Sequence, residues 1–81
     1  MMEKNELLMN VYKIHTTHLG ISRIKRNLGL EEDVVEFCKR NVLDKKSLIY
    51  RKGKNWYLEN GAIKITINAT SYTIITAHKM V

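Results

Sequence analysis

The chain has 81 residues, with 14 Lys plus Arg against 8 Asp plus Glu, a formal charge of +6 and 44% apolar residues. Such a balance excludes a disordered tail and a membrane-spanning chain, and predicts one small basic domain, 1–81, with a helical part over about 4–43 and a sheet part over about 48–79. A lone Cys38 excludes an internal disulfide and a multi-thiolate zinc site.

No proline, repeat or low-complexity tract marks a linker. The first residues hold Glu3, Lys4 and Glu6 where a signal peptide needs a basic start and an apolar middle, so a reducing cytoplasm is the expected location. The charge is uneven. Residues 1–38 carry five basic and six acidic side chains, and residues 39–81 carry nine and two, so the cationic surface belongs to the second half. Its densest part runs from Lys39 to Lys54, either as a solvated face or as an anion-binding one.

In chain order, Leu7, Leu8, Val11, Tyr12 and Ile14 recur at helical spacing, which predicts an amphipathic helix from Lys4 to about His15. Thr16 and Thr17 are capping residues for a second helix from about His18 to Asn27, with Ile21, Ile24 and Leu28 as its apolar stripe and Gly29 as its stop. Glu31, Glu32 and Asp33 suit the positive end of a third helix whose buried stripe is Val34, Phe37, Cys38 and Val42, so Cys38 reads as a small core residue. From Leu48 the period changes to two. Strands are predicted over Leu48–Lys52, Asn55–Glu59, Ala62–Asn68 and Tyr72–Lys79, with turns at Gly53-Lys54, Asn60-Gly61 and Ala69-Thr70-Ser71. The expected fold is α+β: three N-terminal helices packed on one face of a four-stranded antiparallel β-meander, the other face left open.

Ile63, Ile65 and Ile67 are expected to meet the helices, and Trp56 to anchor the core. Taking Ile75 and Ala77 as inward places Tyr72, Thr76 and His78 on the open face with Lys64, Thr66 and Asn68, beside Lys52 and Lys54 in the loops. A slip of one residue would reverse that assignment. A positive surface with interleaved tyrosines, among which Tyr57 and Tyr72 are candidates, suits single-stranded nucleic acid, since cations neutralise phosphates and rings stack on bases. Tyr50, Trp56, Tyr57 and Tyr72 serve equally well as packing residues.

The three histidines, His15, His18 and His78, are the sharper feature. Metal-independent RNA cleavage needs one group to deprotonate the 2′-hydroxyl, another to protonate the leaving oxygen and cations for the phosphate. His15 and His78 with nearby Lys or Arg meet that need, and Thr76 or Ser71 can hydrogen-bond a phosphate oxygen. The plainer alternative is that His15 caps a helix end and His78 is merely exposed. No acidic side chain stands at ligand spacing from the histidines, so neither a metal nor a cofactor is expected. Nucleotide-loop, zinc-hydrolase and nucleophile-elbow motifs are missing. The second and third helices imitate a helix-turn-helix, but the acidic start of the third would face phosphates.

His15-Thr16-Thr17, Leu19-Gly20, Arg23-Ile24, Asn27-Leu28-Gly29-Leu30, Gly53-Lys54-Asn55-Trp56-Tyr57, Ile65-Thr66-Ile67-Asn68 and Ser71 to Lys79 resemble a family of small bacterial proteins classed as a domain of unknown function. The likeness runs from about Lys13 to Lys79 and implies no activity. More distantly, helices followed by an antiparallel sheet ending in Thr73-Ile74-Ile75-Thr76-Ala77-His78-Lys79 resemble the barnase, EndoU, colicin and RelE group of metal-independent ribonucleases, many of them toxins. That resemblance implies proton transfer by His15 and His78, phosphate binding by Lys54 and Arg23, and orientation by Thr76. The alternatives are a non-catalytic basic module that binds RNA, DNA or an acidic protein, and a regulatory protein that forms a homodimer through an edge strand.

Overall fold

A computed structural model describes the backbone of residues 2–80 and the side chains of 5–80. Three α-helices precede a four-stranded sheet: α1 (Met2–Met9), α2 (His18–Leu28), α3 (Val34–Leu43), then β1 (Leu48–Lys52), β2 (Asn55–Asn60), β3 (Ile63–Asn68) and β4 (Ile74–Lys79). The strands pair antiparallel in the order β1-β2-β3-β4, so the chain is α+β with a meander.

The first helix is shorter than its apolar spacing predicts. Asn10 turns its side-chain amide onto the Glu6 carbonyl at 2.8 Å, and its backbone N–H bonds the Leu7 carbonyl at 3.1 Å, a tighter step than the α-helix takes. The chain then continues as a 3₁₀ helix over Val11–Lys13. The other two helices follow their caps. Thr17 accepts from the Gly20 N–H and Gly29 closes α2 in the left-handed conformation at φ 67°, while Asp33 accepts from the Glu36 N–H at the start of α3.

Leu7, Ile14, Ile24, Leu28, Val34, Cys38 and Val42 from the helical half join Trp56, Leu58, Ile65, Ile67, Ile74 and Ala77 in one core. Phe37, expected in the buried stripe of α3, is only half-buried and carries the Arg40 guanidinium 5.8 Å above its ring. Burial of Cys38 pushes its thiol up to about 12. The unfolded chain therefore releases that proton near pH 9 while the folded protein keeps it, so stability is full below pH 9 and falls as the pH rises towards 12. Between about pH 8 and pH 10 the wild-type protein should lose roughly 1 kcal/mol more than Cys38→Ala, read from urea unfolding midpoints.

Both tight hairpins begin on glycine. Gly53 and Gly61 each have φ 61°, and neither Lys54 nor Ala62 has a positive φ, which is the pattern of a turn with glycine in its first central position. The second turn is thus Gly61-Ala62 rather than Asn60-Gly61. Asn60 pairs with Ile63 inside the sheet and sends its amide to Asn41 and Asp44 at 3.1 Å.

The larger departure is in β4. Thr66 pairs with Thr76 but Ile67 pairs with Ile74, so Ile75 has no partner and forms a bulge. Alternation restarts across it. Ile74 and Ala77 are the core residues, and Ile75, expected inward, is 48% exposed. Upstream, Tyr72 holds a left-handed φ of 61° and is 6% exposed, so it belongs to the core and not to the open face. Its N–H bonds the Asn68 carbonyl at 2.8 Å and its carbonyl accepts from the His15 N–H at 3.1 Å, which together hold the strained backbone. Asn68 organises this loop: its Oδ1 accepts from the Thr70 N–H at 2.9 Å, the Ser71 N–H at 2.8 Å and the Ser71 hydroxyl at 3.1 Å. Asn68→Ala leaves those exposed donors to water and should cost about 0.5–1.5 kcal/mol, whereas Asn68→Asp keeps an acceptor and should cost less, as measured by chemical denaturation.

Candidate functional site

Strand register sorts the side chains on the face opposite Trp56 into three cross-strand rows. Leu48, Glu59, Lys64 and His78 form one row, Tyr50, Tyr57, Thr66 and Thr76 the next, and Lys52, Asn55 and Asn68 the third. Neighbours within a row are about 5 Å apart and the rows about 7 Å, close enough for long side chains to meet diagonally.

Tyr50 and Tyr57, directly opposed, stack with centroids 5.5 Å apart and planes 20° from parallel. Lys64, diagonal to Tyr57, places its ammonium 5.3 Å from that ring's centre. The Tyr50 hydroxyl donates to Glu59 Oε2 at 2.8 Å, and this hydrogen bond to the carboxylate holds the phenol protonated above its usual range. Tyr50, Lys52, Tyr57 and Lys64 line a cavity of about 260 Å³. Neither lysine forms an ion pair among the described residues, and the Glu59 carboxylate, cross-strand from Lys64, accepts from the Tyr50 hydroxyl. Exposed Lys45, Lys46 and Lys54 flank β1 at its two ends, whereas Arg51 lies within β1 on the Trp56 face.

Of the residues singled out in the sequence, Lys52, Tyr57 and Lys64 come together in this cavity. Thr76 and His78 share its face, two strands from Tyr57 and one strand from Lys64 respectively. Lys54 sits in the β1–β2 turn, where its carbonyl accepts from the Ala69 N–H, and Arg23 is exposed on α2. Tyr50, which the sequence leaves open between stacking surface and packing residue, is the fourth wall. The two-residue turn at Gly53-Lys54 carries the signal for it, since it sets Tyr50 opposite Tyr57.

His15 lies elsewhere. It forms a parallel bridge with Thr73 at the start of β4, with its carbonyl accepting from the Ile74 N–H at 2.7 Å. His78 is five residues further along, about 15 Å at the rise of an extended chain. The structure therefore does not bring His15 and His78 to one phosphodiester. The ring nitrogens of His15 have other partners: Nδ1 is 2.8 Å from the Lys13 carbonyl and Nε2 is 3.1 Å from the Thr73 hydroxyl. Tyr72 packs nearby, with the Lys13 ammonium 5.7 Å from its ring centre.

Among the described residues no group of three or more His, Cys, Asp or Glu side chains is placed to hold a metal ion, and no helix is long and apolar enough to cross a membrane. No curated protein and no solved structure matches the chain, and nothing supports a relationship to the barnase, EndoU, colicin and RelE group. A family model described as "Protein of unknown function (DUF3781)" matches residues 8–78, and the chain belongs to that family.

Proposed function

We propose that the three helices cover only the Trp56 face of the sheet and that the opposite face binds single-stranded RNA without cutting it. The observation that carries this reading is the cavity in which a stacked tyrosine pair stands between two unpaired lysines. Bases stack on Tyr50 and, as the Lys64 ammonium moves off its ring towards a phosphate, on Tyr57, because every base offers a π-face and needs no further readout. Lys52 and Lys64 take the phosphates on either side, Thr76 and His78 extend the polar track across β4, and Lys54 adds charge at the turn. Tyr72, being buried, has no part in it. Arg23 lies on α2, whose Asn27 side chain bonds the Ala77 carbonyl, so it contributes to the general field and not to the track. Cleavage is less well supported, since the separation of His15 from His78 leaves no paired acid and base.

Fluorescence anisotropy with a labelled single-stranded RNA tests the proposal. Neutralising three or four phosphates gives a slope of about −2 to −3 in log affinity against log salt. The RNA should be recovered intact on a denaturing gel. No binding at low salt would sink the reading, and equal binding of polyglutamate would transfer the surface to an acidic protein partner.

A further inference from the structure

A second constellation stands apart from the sheet face, where the segment before α2 meets the β3–β4 loop. The Lys13 carbonyl can only accept, so the His15 nitrogen facing it, Nδ1, is the protonated one, and in the neutral ring Nε2 offers its lone pair to the Thr73 hydroxyl at 3.1 Å. Ser71 Oγ lies 2.8 Å from Thr73 Oγ1 and 3.1 Å from Asn68 Oδ1, and its single proton serves one or the other. Backbone bonds across the His15–Thr73 bridge fix the two partners, which are 58 positions apart in the chain. Between the two hydroxyls sits Tyr72, the one non-glycine residue among those described with a positive φ. Strain of that kind is stored where the surroundings insist on it.

A hydroxyl bonded to an imidazole that a third group orients is the arrangement of an activated nucleophile. We propose that Thr73 is an acyl acceptor with His15 as its general base, reacting with activated esters. Thr73 Oγ1 adds to the ester carbonyl carbon as its proton passes to His15 Nε2. The tetrahedral adduct then expels the alcohol or phenol oxygen, which leaves with the proton from His15, and the acyl group remains on Thr73 as an ester. One acyl–oxygen bond forms and one breaks, with no oxidant, reductant or metal required.

Brief treatment of the folded protein with p-nitrophenyl acetate, followed by peptide mapping in a mass spectrometer, tests this. The expected product is acetyl-Thr73, absent in Thr73→Val, kept in Thr73→Ser and formed about 100-fold more slowly in His15→Gln, at the lower end of what a general base supplies. His15→Gln retains the backbone bridge, and circular dichroism reports whether it folds. Should it not, the comparison of native wild-type protein with the same chain in urea replaces it, with labelling of Thr73 lost on unfolding. Acetylation confined to lysines, acetylation of Ser71 in place of Thr73, or Thr73 labelling that survives in urea would overturn the proposal.

Discussion

Tyr57→Ala is expected to weaken RNA binding by about 5- to 150-fold, the range that loss of one base–ring stack implies at 1–3 kcal/mol. Two effects act together at this position. The ring offers a stacking surface, and it also holds the Lys64 ammonium 5.3 Å from its centre, so its removal frees a long side chain that must be ordered again on binding. Tyr57→Phe separates the two: it keeps the ring and gives up only a weak hydrogen bond from the Asn55 amide at 3.4 Å, so affinity should stay within about twofold. Lys64→Glu should act differently, reducing the steepness of the salt dependence by about 0.7 for each phosphate left without its cation. Arg23→Glu on α2, which changes the net charge by the same two units, is the control for mere net charge and should leave that slope unchanged. An effect of Arg23→Glu equal to that of Lys64→Glu would mean that the RNA sees only total charge.

Trp56→Ala is expected to cost about 3–5 kcal/mol. A domain of this length has a total stability of about 4–12 kcal/mol, at 0.05–0.15 kcal/mol per residue, so the loss is about a quarter of the total or more. Trp56 is 1% exposed, is among the largest fully buried side chains and carries the Arg51 guanidinium 5.5 Å from its ring centre. Its indole N–H is buried with no acceptor among the described residues. Trp56→Phe removes that donor together with part of the ring, so the relief of an unsatisfied group offsets some lost area. Thermal unfolding should therefore rank the variants with Phe close to wild type and Ala far below. Similar losses for both would show that ring volume alone governs the site.

Much of the fold follows from local chemistry. Thr17 and Gly29 bound α2, Asp33 opens α3, and the alternation from Leu48 onward sets four strands whose first two turns begin on glycine. The bulge at Ile75 has no such local mark, because Tyr72 to Lys79 reads as mixed on both faces and the phase is decided by the fit of Ile74 and Ala77 into the core. Tyrosine seldom adopts a positive φ, so the turn at Tyr72 is set by a bond within the loop to Asn68 and a distant one to His15. The pairing of His15 with Thr73 is equally non-local. Histidine composition points to His15 as chemically interesting but not to its partner. At the sheet face, Lys52, Lys64 and Tyr57 are legible from charge and alternation, while Tyr50 needs the register.

The two borders of the sheet are protected by different means. Along β4, the backbone of His15 occupies hydrogen-bonding positions at the strand's beginning, so a foreign strand finds that stretch already taken. β1 has a neighbour on one side only, and there Arg51 and Lys52 stand at its exposed end. Two copies docking border to border through β1 would bring like charges together, a repulsion that salt or a polyanion would screen.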